Sequence, residues 1–442
     1  MTIHDALSRL RAGTLSSVDL VEESLAAIAR LQPRTNAFIR VDAEEARAGA
    51  RRADAERASG QARGALHGIP ISLKDLIDVA GQPTTAASKV LAENIAKTDA
   101  PVTARLKAAG AILIGKTNLH EFALGTTSED SAFGPVRNPR DFARSAGGSS
   151  GGSGVAVFAG MGLASIGTDT GGSIRIPASA CGVVGLKGTI GEVPTEGVIP
   201  LSTSFDHVGP LAQTVADAAL VWSVVASRPM PDLAPPRAIR LRRLVGYFDR
   251  PIEPAVREAF ERALTRLKAG GMTLTTAELM LAPGIVDAYV NTILPEGAAW
   301  HAAYLDSRPN DYAPMVRARL EAGRTIPAVK YLEAAAFCRR LRGEIDMMLA
   351  DADALVLPTL PLTAPPLGAS DITIDPSTGG TMPVRAAMLK HTQPFNMSGH
   401  PAISLPLPVS GMPAGLQLVG RRDNTGALLA IAAACEKIVS NG

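Results

Sequence analysis

Histidine, the usual proton carrier of hydrolytic sites, is scarce in this chain. Seven occur among 442 residues, and none lies between residues 147 and 175, where the most distinctive motifs stand. Cysteine is rarer still: Cys181, Cys338 and Cys435 are odd in number, widely spaced and set in apolar sequence. That pattern argues against a disulfide frame or a metal site and suits buried thiols in a reducing compartment. Aromatics make up only 4%, so the interior is expected to pack from small aliphatics. Charge of one sign is missing too. Lys and Arg number 44 against 42 Asp and Glu, a net of +2, which gives no reason to expect nucleic acid, an anionic membrane or a polyacidic substrate. The most apolar run, residues 215–226, is interrupted by Asp217 and is too short to span a bilayer. The opening Met-Thr-Ile-His-Asp-Ala-Leu has no basic patch followed by an apolar core, so no signal peptide is expected and a cytoplasmic protein is the default.

What is present describes a globular body with material for a large core, 46% of it hydrophobic. The first sixty residues read as helices, one of them opened by Ser16 with Asp19 three residues on, a variant of the capping box. A second, spanning 42–58, has little apolar periodicity. Short aliphatic runs then appear at 68–73, 111–114, 164–166, 354–357 and 402–405, each ended by Gly, Pro or Asn, with helical stretches between them. This alternation predicts an α/β protein with a largely buried sheet. Residues 228–243 are proline-rich and basic, like an exposed connector, and 253–349 is mostly helical by pattern. We therefore expect one domain over 1–442, with 227–352 a variable, mostly helical insert lying over the site. Prolines 358, 361, 365 and 366 mark a rigid loop, and an amphipathic helix over 428–439 closes the chain.

Two Gly-Gly-Ser turns are the most informative feature. Residues 147–153 read Gly-Gly-Ser-Ser-Gly-Gly-Ser, and residues 168–175 read Thr-Asp-Thr-Gly-Gly-Ser-Ile-Arg. Glycine pairs beside serine let backbone approach a ligand closely, so Ser149 and Ser173 suggest two hydroxyls brought together with N–H groups aimed at one point. Two other signals are weaker. Residues 110–117 fit the phosphate-loop pattern letter for letter, but the middle residues, Ala-Ile-Leu-Ile, read as a strand rather than a turn. Ser150 is central in a Gly-Ser-Ser-Gly-Gly nucleophile-elbow match, which needs a late histidine such as His391 or His400. His120-Glu121 has no second histidine four residues on, so metal hydrolysis is not expected. A serine hydrolase without an obvious histidine needs another base, which points to lysine. Lys74, at the end of the run 69–73, is a candidate, although an arbitrary lysine at a sheet edge is ordinarily solvated.

Further motifs stand in one order along the chain: Leu73-Lys74-Asp75, Gly-Lys-Thr-Asn at 115–118, both serine turns, Cys-Gly-Val-Val-Gly-Leu-Lys at 181–187 and Asp-His-Val-Gly-Pro at 206–210. Pro-Phe-Asn at 394–396 and Gly-Leu-Gln-Leu-Val-Gly at 415–420 continue it. Together they resemble the amidase signature family, hydrolases of carbon–nitrogen bonds with a Ser–cisSer–Lys triad. The match covers nearly the whole chain and is weakest over 227–352. The resemblance implies a large mixed sheet with helices on both faces. It implies Ser173 as nucleophile, Ser149 on a cis peptide as the bridging serine and Lys74 as base. The N–H groups of Thr170, Gly171, Gly172 and Ser173 would form the oxyanion hole. Asp169 and Arg175 read as a buried ion pair fixing that loop, Ser150 as a hydrogen-bond partner within its turn, and Cys181 as a core thiol behind it. Residues 123–127, including Ala123, Gly125 and Thr126, correspond to a segment beside the nucleophile, and their small side chains suggest an open substrate site. Ile293, Leu294, Trp300, Tyr304, Tyr312, Met315, Tyr331 and Phe337 could line an apolar pocket, though most are expected to pack the insert's own helices. No metal or cofactor is implied. The expected partner is a small amide, aryl amide or carbamate, with the chain a monomer or homodimer. The alternative is the glutaminase subunit of a tRNA-dependent amidotransferase, disfavoured by the lack of a tyrosine-rich helical stretch in the insert.

Overall fold

Strands and helices alternate along most of the chain, and the strands collect into one sheet. The computed structural model describes residues 1–235, 238–377, 379–409 and 411–440. Pro236 and Arg237 of the expected connector, and the last two residues of the chain, lie outside them. The strands are β1 (Phe38–Val41), β2 (Pro70–Lys74), β3 (Ile112–Thr117), β4 (Ala164–Asp169), β5 (Val184–Lys187), β6 (His207–Ala212), β7 (Arg240–Val245), β8 (Thr273–Glu278), β9 (Ala354–Pro358), β10 (Asp371–Thr373), β11 (Thr381–Pro383), β12 (Ala402–Leu407) and β13 (Ala414–Val419). Eleven of them form a sheet in the order β1-β3-β2-β4-β6-β5-β12-β13-β9-β7-β8, while β10 and β11 pair separately. The pairing is mixed. β2 runs parallel to both β3 and β4, the strands from β4 to β9 pair antiparallel, and β9, β7 and β8 are parallel again.

The central strands are buried along their whole length, as continuous aliphatic runs should be when both faces of a sheet are covered. Strand β9 shows the two layers directly. Ala354 and Val356 join a core that includes Ala218 and Leu428, while Leu355 and Leu357 join a second core that includes Ile285 and Leu341. Successive side chains of a strand point to opposite faces, so helices must lie on both.

The N-terminal helix opened by Ser16 spans Ser17–Thr35, and the Ser16–Asp19 capping box is closed in both directions. Residues 112–117 are strand, not a phosphate-cradling turn. The 227–352 segment is mostly helical, with helices at Pro254–Ala269, Ile285–Ser307, Pro314–Gly323 and Ala328–Met348. It also does something the pattern hid, because β7 and β8 extend the sheet at its edge. Arg240-Leu-Arg-Arg-Leu-Val reads as a basic connector, yet Leu241 and Leu244 are buried while the arginines cover the rim.

Candidate active site

Both serine turns lead into short helices. The Ser149 turn precedes the helix Gly151–Phe158, and the Ser173 turn links β4 to the helix Arg175–Cys181. The parallel pairing of β2 with β4, Leu73 opposite Ile166, brings the end of β2 beside Thr168. Lys74 is therefore not solvated. It is fully buried, and its Nζ donates to Ser149 Oγ at 2.7 Å and to Thr168 Oγ1 at 2.6 Å. The neighbouring Asp75 turns away and pairs with Lys116 at 2.9 Å. Burial pushes the Lys74 pKa down to about 7, against the longer-range pull of the Asp206 and Asp169 carboxylates.

The Gly148–Ser149 peptide bond is cis. The Ser149 carbonyl accepts from the His120 N–H at 3.1 Å and from Ser128 Oγ at 3.1 Å. Ser173 is brought alongside through backbone, its carbonyl accepting from the Ser150 N–H at 3.3 Å. No hydrogen bond joins the two serine hydroxyls among the described residues. Lys74 and Ser149 are sealed from solvent, whereas Ser173 keeps 5% of its surface exposed. The order Lys74, Ser149, Ser173 thus runs from the interior outward.

The loop 170–173 is pinned through the Thr170 hydroxyl and the carbonyls of Gly171, Gly172 and Ser173. Thr170 Oγ1 donates to Asp206 at 2.5 Å, Thr392 Oγ1 donates to the Gly171 carbonyl at 2.6 Å, and the Ile176 N–H reaches the Gly172 carbonyl at 2.7 Å. Among the described residues, the N–H groups of Thr170, Gly171, Gly172 and Ser173 have no hydrogen-bond partner. Gly172 has φ +140°, and a Cβ there would fall 2.2 Å from Thr392 Oγ1; a Cβ on Gly171 would fall 2.1 Å from Tyr289 Oη. Neither position admits a side chain.

Asp169 and Arg175 form the expected buried pair, with two contacts of 3.0 Å. Burial alone would raise the Asp169 pKa, but the Arg175 charge and hydrogen bonds, with help from Asn396, hold it well below the carboxylate range. The rest of the Arg175 fork reaches the Thr392 carbonyl at 2.9 Å, Gln417 Oε1 at 2.7 Å and Asn396 Oδ1 at 2.6 Å. Ser150 serves its turn, bonded through Oγ to both the carbonyl and the N–H of Thr168 at 3.1 and 3.3 Å. His391 bonds to the Pro358 carbonyl and His400 to Asp346, so neither partners Ser150. Cys181 is buried and unpaired, its thiol pushed up to about 12 by burial.

Ala123 shares a small cavity with Thr168, Thr170 and Asp206. Gly125 is small for another reason, since a Cβ there would meet the His120 ring at 2.1 Å, and Thr126 abuts Gly148. Of the apolar residues of 227–352, Ile293, Leu294, Tyr312 and Phe337 join a core shared with the body, including Leu76, Phe122 and Phe205, Tyr331 bonds Glu296 at 2.8 Å, and Trp300 and Met315 are exposed. The insert residue that reaches the loop is one the pattern did not single out. Tyr289, on the helix Ile285–Ser307, stands over Gly171. Thr168 and Asp206 were also missed as site residues. Thr168 carries no local signal, since it meets Lys74 only because β4 pairs beside β2. Tyr289 has none either, as only helix docking places it.

Comparisons with known proteins give the family of the chain. The family model described as Amidase matches residues 19–429. The A-type subunit of a glutamyl-tRNA(Gln) amidotransferase, from Roseiflexus sp. (strain RS-1), is 37% identical over 99% of this chain and 96% of its own length. AtzE, named as a 1-carboxybiuret hydrolase subunit of Pseudomonas sp. (strain ADP), is 37% identical over 94% of this chain and 93% of its own. A crystal structure described as an amidase superposes with TM-score 0.95 at 40% identity, covering 99% of this chain and all (100%) of that one. Among the described residues no helix is long and apolar enough to cross a membrane.

Proposed function

The chain belongs to the amidase family, and from that premise we propose that it hydrolyses carbon–nitrogen bonds of small amides through an acyl-enzyme on Ser173. Aryl amides and carbamates fall within the same proposal. The observation that carries this reading is the 2.7 Å contact from a buried Lys74 to Ser149. A lysine held near neutrality by burial, with no carboxylate in contact, can accept a proton at ordinary pH. In the proposed sequence Lys74 takes the proton of Ser149, and Ser149 takes that of Ser173. The Ser173 oxygen then attacks the carbonyl. The developing oxyanion is received by the unpaired amides of 170–173, which are preorganised because the Gly171, Gly172 and Ser173 carbonyls are already tied. Ser149 returns a proton to the leaving nitrogen, which amide cleavage requires because an amide anion is a very poor leaving group. Water then releases the acid. Asp169 and Arg175 hold the loop and touch no reacting atom.

A second reading has support of its own. The 37% identity with an A-type amidotransferase subunit favours a glutaminase component that hands its ammonia to a partner. The 0.95 TM-score with a structure described simply as an amidase favours the stand-alone enzyme, and we adopt it, as a monomer or homodimer. Three buried, unpaired cysteines suit a cytoplasmic setting. The test is turnover by the purified chain alone of an acyl anilide, a primary amide and an aryl carbamate. Activity on at least one, abolished in Ser173→Ala, is expected. Glutamine hydrolysis that appears only with a partner would replace this reading with the second.

A further inference from the structure

Arg385 has no ion pair and no hydrogen bond among the described residues, which is unusual for a guanidinium that is not exposed. It lies on the helix Val384–Leu389. Its Nε is sealed from solvent without a partner, while the residue as a whole remains half-buried, so what it still exposes lies elsewhere on the side chain. Residues four apart share a helix face, and the residue four on from Arg385 is Leu389. Leu389 would crowd a Cβ on Gly171, at 2.9 Å, as would Tyr289, at 2.1 Å. The Arg385 charge acts on the Tyr289 phenol and on the Arg319 guanidinium, and no carboxylate acts on Arg385 in return. Arg319 is itself turned to the Leu124 carbonyl, at 2.8 Å, and feels Asp130. A guanidinium whose Nε is sealed without a partner beside a second cation is costly unless an anion meets it, and its planar fork is shaped for a carboxylate.

We propose that Arg385 binds a carboxylate on the non-reacting end of the substrate, making the favoured substrates amides that carry a negative charge. This rests on the hydrolase reading, because it places the substrate's reacting carbonyl at Gly171 and its anionic end beyond Tyr289 and Leu389. It goes further in naming a substrate class that neither serine turn nor Lys74 would select.

The test is equilibrium binding to the Ser173→Ala protein, which needs no turnover. Succinamate, glutaramate and adipamate are each compared with the neutral diamide of the same length by calorimetry near pH 7.5. At least one monoacid is expected to bind roughly tenfold or more tightly than its diamide, as a charge-assisted hydrogen bond provides. That preference should collapse toward unity when Arg385→Gln is added and partly return with Arg385→Lys. Equal affinities for acid and diamide at every length would overturn the proposal without recourse to any Arg385 variant, as would a preference that survives Arg385→Gln in a folded protein. Turnover of neutral amides by the unmodified enzyme tests the hydrolase reading separately, so either can fail alone.

Discussion

Lys74 can act as a base only when uncharged, and its surroundings push it that way. Burial supplies the push, bringing the pKa to about 7, while Asp206 and Asp169 oppose it. The sign gives the pH dependence. Deprotonation of Lys74 creates the active form, so kcat/KM should rise as pH climbs through about 7 and level off above it. Asp206→Asn removes one of the negative charges that favour the ammonium, so the rising limb should move to lower pH. A limb that stays in place, or moves to higher pH, would separate Lys74 from the rate. Lys74→Met should lower kcat by about a thousandfold or more, within the range of lost acid–base catalysis with a misplaced nucleophile. Lys74→Arg should not rescue it, because arginine stays protonated. Lys74 itself was legible only in company. Its position at the end of an aliphatic run is ordinary, and the neighbouring motifs set it apart. What no local pattern could show was Thr168, whose 2.6 Å contact depends on which strand lies beside β2.

The oxyanion loop is the element whose shape the chain specifies most tightly. The Thr170 hydroxyl and the Gly171 and Gly172 carbonyls are tied to Asp206, Thr392 and Ile176, while its amides have no partner among the described residues. Glycine at 171 was legible as a close-approach residue, but what it approaches was not. The answer is Tyr289, well over a hundred residues away in a helix whose apolar periodicity says only that it is buried somewhere. Gly171→Ala should therefore lose most activity, since the new Cβ falls 2.1 Å from Tyr289 Oη. Placing the same change in a Tyr289→Phe background should recover part of the loss, because the hydroxyl is what lies nearest. Additive losses in the double variant would contradict this packing account. The helical insert illustrates the same limit. Its helices follow from residue pattern, but β7 escaped because arginines at a sheet edge look like a connector, and β8 because it lies within a stretch whose pattern reads as helical.

At the scale of the molecule, the site is assembled from segments far apart in the chain and closed by one buried ion pair. Arg175 links Asp169 on β4 to Asn396 and Thr392 before β12 and to Gln417 on β13. Arg175→Met would leave the Asp169 carboxylate buried without its cation, a loss of about 3–5 kcal/mol. The urea midpoint should fall accordingly, and an unchanged midpoint would mean the pair is dispensable. The α/β class and the sheet's burial were readable because central strands of a covered sheet are continuous aliphatic runs. Strand order was not, since it depends on long-range pairing that no local pattern encodes. The central claim, that this architecture delivers a reactive Ser173 activated by an uncharged Lys74, is tested most directly by mapping the covalent adduct of a fluorophosphonate probe by peptide mass spectrometry across pH. The adduct should sit on Ser173, form faster as pH rises through about 7, and be absent from Ser173→Ala and greatly slowed in Lys74→Met. An adduct on Ser150, or unchanged labelling of either variant, would contradict it.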